Sequence, residues 1–154
     1  MQCIAFFRGL TMFRIKWSDE KTMSEKTEQC YALFKHVRKF YDLQTELYGV
    51  EEPLWFGDDV LSGVEIDEIS KCIILTIKSE LFSDTVYKGH NVSFAYYRFR
   101  FDDVEDICIE GDTDAHIDDI YIQKDKDGRF SYCCEGPSIQ FTFETAEALE
   151  CWTE

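Results

Sequence analysis

Residues 117–143, IDDIYIQKDKDGRFSYCCEGPSIQFTF, decide the predicted fold. Three short β-rich stretches, 117–124, 130–134 and 138–143, are separated by two turn signals. Asp127-Gly128 is typical of a tight hairpin turn, and Gly136-Pro137 reverses the chain a second time. Consecutive strands with such short connections predict an antiparallel meander.

Further strands are predicted on the N-terminal side of this meander. The aromatic run NVSFAYYRFRF at 91–101 has the alternation of a long strand, and its phase slips near Tyr96–Tyr97, which predicts a β-bulge there. Residues 51–63 are punctuated by proline and glycine and are predicted to form a loop. The remaining predicted strands are 11–17, 72–78 and 106–110.

One long amphipathic helix is predicted from Met23 to Tyr48. Thr22 and Glu25 form a T-x-x-E capping box at its start, and Gly49 supplies a C-terminal stop. Apolar side chains recur at steps of three and four, which places them on one stripe: Cys30, Tyr31, Phe34, Val37, Phe40, Tyr41 and Leu47. The helix cannot bury this stripe alone. A second, short helix is predicted at 145–152.

These elements predict an α+β fold, with an antiparallel meander of about six to seven strands and the long helix packed on one face of the sheet. A chain of 154 residues fits a single domain, 1–154, because domains cluster near this size. Met12 is an alternative start, which would make 1–11 a dispensable extension.

The N-terminus and the cysteines predict a cytoplasmic protein. The apolar stretch from Cys3 to Phe7 is too short for a secretory signal and is followed by Arg8. Nowhere in the sequence is there an apolar run long enough to span a bilayer. Seven cysteines with irregular spacing and no C-x-x-C indicate free thiols in a reducing compartment, most of them in the core.

Charge is distributed unevenly along the chain. The net charge is −15, and residues 51–154 carry eight Lys or Arg against twenty-five Asp or Glu. Such a surface repels the phosphates of nucleic acids and the anionic lipids of membranes, so neither partner is expected. It attracts basic proteins and metal ions.

No motif in the sequence predicts a catalytic residue or a bound cofactor. Asp125-x-Asp127-Gly128 resembles an EF-hand loop, but Gln123 and Cys134 fall where the first and last ligands belong, so a hairpin turn is favoured. Cys133-Cys134 lacks any neighbour that would activate a thiol. We therefore expect no enzymatic activity.

One alternative remains open, a metal-dependent module or small enzyme. Asp112, Asp114, His116 and Asp118 alternate along the chain and would lie on one side of a strand. A row of that length cannot converge on one ion unless the segment curls into a loop, which Gly111 permits.

Acidic clusters interleaved with aromatic residues favour a protein-binding surface over solvated loop ends. Like charges this close destabilise a compact chain, whereas carboxylates around aromatic anchors steer and hold a basic partner. The predicted partner-binding residues are Trp55, Asp58, Asp59, Glu65, Asp67, Glu68, Asp102, Asp103, Glu105, Asp106, Asp112, Asp114, Asp118, Asp119 and Tyr121.

In overall character, the chain resembles bacterial toxin-immunity proteins: it is small, acidic, rich in aromatic residues and free of catalytic motifs. The resemblance spans the whole chain, and it implies a protein that binds a cognate, basic, nuclease-like toxin domain and occludes its active site. A third hypothesis is a non-catalytic subunit of a larger assembly.

Overall fold

The computed structural model describes residues 2–3, 20–111 and 114–154, with side chains from Glu25 onward. Its helices are α1 (Glu20–Tyr31) and α2 (Arg38–Tyr48). Its strands are β1 (Gln2–Cys3), β2 (Val60–Asp67), β3 (Cys72–Glu80), β4 (Val86–Tyr87), β5 (His90–Asn91), β6 (Phe94–Asp102), β7 (Glu105–Glu110), β8 (Ala115–His116), β9 (Asp119–Lys124), β10 (Phe130–Glu135), β11 (Ser138–Phe143) and β12 (Thr145–Thr153). The strand predicted at 11–17 lies outside the described residues.

The strands form two five-stranded antiparallel sheets and a small hairpin, not one meander. The first sheet has the order β1-β7-β11-β10-β9, the second has the order β12-β6-β3-β2-β8, and β4 pairs with β5. Among the described strands, the chain passes from one five-stranded sheet to the other after β1, β6, β7, β8 and β11. The predicted single sheet with one long helix on its face is therefore wrong, and the molecule is mostly β.

The meander prediction holds locally, for β9, β10 and β11. Lys124 pairs with Phe130 across the predicted hairpin turn, and Gly128 has the positive φ that such a turn requires. Gly136 turns the chain again with a φ of 107°, and a Cβ there would collide with the carbonyl oxygen of His116. Asp-Gly and Gly-Pro thus predicted both turns correctly.

The helix predicted at 23–48 is two helices, because residues 32–37 turn between them. His36 has a φ of 60°, outside the helical region. The Lys35 N–H donates to the Ala146 carbonyl, and the Ala148 N–H donates to the Lys35 carbonyl, so this segment pairs with β12. A helix of that length would extend about 39 Å, beyond the roughly 30 Å of the longest strands.

The terminal helix predicted at 145–152 is strand β12. It pairs with β6 from Thr145 opposite Asp102 to Thr153 opposite Ala95. Pairing with the free edge of β6 outweighs local helix propensity. The bulge predicted in β6 is also misplaced: β6 alternates without a break, and the register shift lies in β12 between Ala148 and Glu150.

The two sheets are joined by a layer of aromatic rings. Phe101 of β6 lies within 5.3 Å, centroid to centroid, of three rings of the other sheet, those of Tyr132, Phe141 and Phe143. Phe99, also on β6, contacts rings carried by both helices. Each such pair adds about 0.5–1.5 kcal/mol to the effect of burial.

Helix α1 covers the outer edge of β9. The Ile122 N–H points away from β10 and donates to the Thr27 hydroxyl over 2.9 Å, in a buried bond. A strand edge without such a partner is open to association with other chains.

Phe34 lies in the turn between the helices and anchors that turn to the core through its ring. Its replacement by alanine is expected to lower the free energy of unfolding by about 3–5 kcal/mol. Its ring lies 5.8–6.0 Å from those of Phe99, Phe101 and Phe143. Denaturant unfolding measures the change. Leu33→Ala is the matched control, because Leu33 is 64% exposed and should change stability by under about 0.5 kcal/mol. Equal effects of both substitutions would contradict this account of the turn.

Candidate functional site

A groove of about 690 Å³ opens where α2 ends, beside the last residues of β3. We call it the Trp55 groove. The segment between α2 and β2 forms one wall, and β3 with the residues after it forms another. Its lining residues are Glu28, Gln44, Tyr48, Val50, Glu52, Pro53, Trp55, Gly57, Asp59, Ser79, Glu80, Phe82 and Tyr97.

The rim of the Trp55 groove is apolar and open to solvent. Of the large hydrophobic side chains exposed among the described residues, four line it: Tyr48, Val50, Trp55 and Phe82. Trp55 is 58% exposed and Phe82 is 80% exposed. Scattered exposed apolar residues are ordinary, but a cluster around a concave surface is typical of a binding site.

The charges of the Trp55 groove have one sign. Glu28, Glu52, Asp59 and Glu80 line it, and none of its described lining residues is Lys, Arg or His. The potential inside is therefore negative, and a concave wall of low dielectric strengthens it.

Local sequence explains why Trp55 faces outward. Helix α2 ends at Gly49, which has a φ of 79° and donates its N–H to the Thr45 carbonyl. In the following segment Leu54 and Phe56 are buried, so the residue between them is directed to solvent. At Gly57 a Cβ would collide with the indole of Trp55, so only glycine allows the ring to lie across the backbone there.

Asp59 is the most buried of the four carboxylates that line the groove. Backbone hydrogen bonds fix its position, because Asp58 N–H donates to Ile117 O and Ile117 N–H donates to Asp59 O, over 2.8 and 2.7 Å. Burial raises the pKa of the Asp59 carboxyl to about 6, although a hydrogen bond from Ser79 opposes the shift.

Gln44, another residue of the groove lining, carries a buried acceptor. Its side chain is 7% exposed, and its Oε1 has no hydrogen-bond partner among the described residues. The Gln44 side chain is hydrogen bonded to the Tyr97 hydroxyl, and the charge of Asp59 adds to the burial that raises the Tyr97 pKa. A buried acceptor without a donor costs stability.

The structure divides the predicted acidic residues between two ends of the sandwich. Asp58 and Asp59 lie at the groove end, together with Asp118 and Asp119, because Ile117 pairs with residues 58–59. Asp67 and Glu68 lie at the other end of β2, about 25 Å away for a strand of eight residues. The Val104 N–H donates to the Lys71 carbonyl there, which places Asp102, Asp103, Glu105 and Asp106 at that end.

Several acids outside the groove are already engaged. Asp67 accepts hydrogen bonds from the Ser70 hydroxyl and from the N–H groups of Ser70 and Ile69, and these bonds lower the Asp67 pKa. Glu65 pairs with Arg98 on the outer face of the second sheet. Asp102 pairs with Arg100 over 3.0 Å. Their charge is compensated locally, unlike that of the groove.

Three further predicted residues have different positions. Tyr121 is 7% exposed and packs against Cys133, so it offers almost no surface to a partner. Asp114 is exposed. Asp112 lies outside the described residues.

The alternative metal site stays a prediction. Asp114, His116 and Asp118 are all exposed, and the His116 Nδ1 lies 3.4 Å from the Asp58 carbonyl oxygen. Within 20–111 and 114–154, no three His, Cys, Asp or Glu side chains are grouped so as to hold an ion.

The paired cysteines of β10 are unsuited to nucleophilic chemistry at neutral pH. Burial raises the pKa of the Cys133 thiol to about 11 and that of Cys134 to about 12, and nearby carboxylates add to both shifts. The reactive form of a thiol is its thiolate, which these shifts disfavour.

Trp55 and Asp59 are among the residues predicted to bind a partner, and both line the groove, but none of the other lining residues was predicted. Gln44 and Tyr48 lie in the predicted helix and Phe82 follows a predicted strand, and no motif marks any of them as a site residue. Residues 54–56 are all apolar, so no alternation in the sequence distinguishes Trp55 from its buried neighbours.

Comparison of the chain with models of protein families, with curated proteins and with solved structures gives no match. Among the described residues, neither helix is long and apolar enough to cross a membrane.

Asp59→Asn is expected to stabilise the fold by about 1–2 kcal/mol near neutral pH. The raised pKa means that wild-type stability falls as the pH rises from about 4, where Asp59 ionises in the unfolded chain, to about 6, where it ionises in the folded one. A shift of this size corresponds to about 3 kcal/mol, which partial exposure reduces.

Denaturant unfolding at neutral pH and near pH 4 tests this effect. The gain from Asp59→Asn should be mostly lost at the lower pH, where the carboxyl is protonated in the folded chain and about half protonated in the unfolded one. Asp118→Asn is the matched control, because that carboxylate is exposed and should leave stability nearly unchanged. A neutral or destabilising Asp59→Asn at neutral pH would contradict the burial of an unfavourable charge.

Proposed function

We propose that this chain is a binding protein that recognises a basic protein partner through the Trp55 groove and occludes the active site of that partner. The single observation that carries the proposal is a concave surface with four exposed apolar side chains and four carboxylates, with no cation among its described lining residues.

Affinity and recruitment would come from different parts of this surface. Trp55 and Phe82 offer large apolar areas of the kind that supply most of the binding energy at protein interfaces. The carboxylates around them raise the rate of encounter with a positively charged surface and reject acidic competitors. Asp58 and Asp118, exposed beside the groove, extend the negative field.

A nuclease-like toxin domain is the partner that we propose. Enzymes acting on nucleic acids carry basic clefts that bind phosphates, and an acidic groove competes for the same cleft. The net charge of −15 and the resemblance to toxin-immunity proteins favour this class of partner. Occlusion of the cleft needs no catalytic residue on the inhibitor.

Affinity capture from the native host, followed by an inhibition assay, tests the proposal. Wild-type protein is expected to capture a basic protein and to block its nuclease activity, whereas the double variant Trp55→Ala, Phe82→Ala should lose both effects. Ile69→Ala is the control, since Ile69 is 97% exposed at the opposite end of β2. One contrary result is equal retention of the captured protein by the wild type, the double variant and the control, and another is nuclease activity that the wild type leaves intact. Either result would show that the groove does not neutralise that protein.

The association rate of the complex is expected to fall steeply with ionic strength, by one order of magnitude or more between low and high salt. Stopped-flow mixing measures it. Glu52→Gln with Asp59→Asn should lower the rate at low salt, whereas the matched pair Glu68→Gln with Glu105→Gln, which removes the same charge at the far end, should change it little. A rate that is flat with salt excludes electrostatic recruitment.

A further inference from the structure

The short strand β1 places two cysteines opposite each other at the edge of the first sheet. Cys3 of β1 is the register partner of Cys108 of β7. Residues directly opposite in an antiparallel pair have Cα atoms about 4.5–5.5 Å apart, and a disulfide requires a Cα separation of about 4.4–6.8 Å. The backbone register therefore meets the spacing that a disulfide needs.

We propose that Cys3 and Cys108 form a site of reversible oxidation, at which a low-molecular-weight disulfide such as glutathione disulfide converts the two thiols into a cross-strand disulfide. The bond fastens β1 to β7. The site lies on the first sheet and shares no residue with the Trp55 groove, so it does not depend on the proposed function.

Cys108 is the most accessible of the first-sheet cysteines whose side chains are described. It is half-buried, whereas Cys133 and Cys134 of the same sheet are buried. Its neighbours Ile107 and Ile109 belong to the core, so the alternation along β7 places Cys108 on the outer face of the sheet. A small disulfide therefore reaches Cys108 without any opening of the core.

No other described cysteine is placed to compete for Cys108. Cys133 lies in the same row of the sheet, but Gln140 stands between the two and pairs with both. Two strand spacings amount to about 9.6 Å, beyond the roughly 7 Å limit for a disulfide. Cys151 is also half-buried, but it belongs to the second sheet and lies opposite Tyr97.

The reaction consists of two thiol–disulfide exchanges. The Cys108 thiolate attacks one sulfur of glutathione disulfide, breaks its S–S bond and releases one glutathione, which takes up the proton lost by Cys108. The Cys3 thiolate then attacks the Cys108 sulfur of the mixed disulfide and releases the second glutathione, which takes up the proton lost by Cys3. Each cysteine sulfur is oxidised by one electron, and one glutathione disulfide is reduced to two thiols. An excess of reduced glutathione reverses both steps.

The native fold and the disulfide favour each other. Strand β1 has two residues and one neighbouring strand, so few backbone contacts hold it in place. A bond between positions 3 and 108 closes a loop of about 100 residues, and the entropy that a cross-link removes from the unfolded chain rises with loop length. We therefore expect the link to form more readily in the folded chain than in the unfolded one.

Peptide mapping of the wild-type full chain tests the proposal without any substitution. The native protein is equilibrated with reduced and oxidised glutathione, the remaining thiols are blocked with N-ethylmaleimide, and the chain is digested with trypsin without reduction. Cleavage after lysine and arginine places Cys3 in peptide 1–8 and Cys108 in peptide 101–124, and the other cysteines fall in further peptides. Mass spectrometry then identifies which peptides are linked.

We expect peptide 1–8 joined to peptide 101–124 to be the main linked pair. At the same glutathione ratio, the ratio of linked to unlinked chains should be about tenfold or more higher in the native protein than in urea. Cys3→Ser should abolish the link and leave Cys108 as a glutathione adduct. Cys151→Ser is the matched control, because it removes the other half-buried cysteine and should leave the link unchanged.

Absence of the link in the native wild-type chain at every glutathione ratio, with or without adducts on the two cysteines, would overturn the inference. Linkage of Cys3 to another cysteine as often as to Cys108 would overturn it as well. So would an equal yield of the link in the native and the unfolded chain, because the register would then contribute nothing to the pairing.

Discussion

The contact between Phe99 and Phe101 of β6 and the rings that face them is the constraint on which the rest of the structure depends. These two side chains point inward from the middle of the second sheet and meet rings from the first sheet and from both helices. Phe34 must reach the same layer, so the helical segment has to turn at 32–37. After this turn, α2 ends near the last residues of β3, and the segment between α2 and β2 forms one wall of the Trp55 groove.

The groove itself is built from groups that the fold would be more stable without. A half-buried carboxylate, a buried amide oxygen with no donor among the described residues and a rim of exposed apolar side chains each cost stability. A compact protein retains such features where they serve binding, because sites adapted to a partner are seldom optimal for the free chain. Their coincidence in one groove, rather than any one of them, makes this surface the strongest candidate for function.

The acidic composition has two different physical meanings in this molecule. At the far end of β2 and on the outer face of the second sheet, carboxylates hold turns together or pair with arginine, as Asp67, Asp102 and Glu65 do. In the groove they have no described cationic neighbour in the lining. The two sets lie at opposite ends of the strands, so a partner on the groove meets only a part of the net charge. Short-range complementarity in the groove therefore matters more than the total of −15.

Local rules in the sequence determined the hairpins of β9 to β11, the strand at 72–80, the stop at Gly49 and the overall negative charge, because turn chemistry, side-chain alternation and ionisation depend on near neighbours alone. Only the tertiary structure decided that the long helical pattern breaks, that residues 145–153 form a strand, and that Tyr121 is buried while Phe82 is exposed. The first two features depend on partners distant in the chain, because Lys35 pairs with β12 and β12 pairs with the edge of β6. The position of Asp59 likewise depends on Ser79 and Ile117. The groove brings together residues from 28 to 97, and no periodicity within one segment encodes such a meeting.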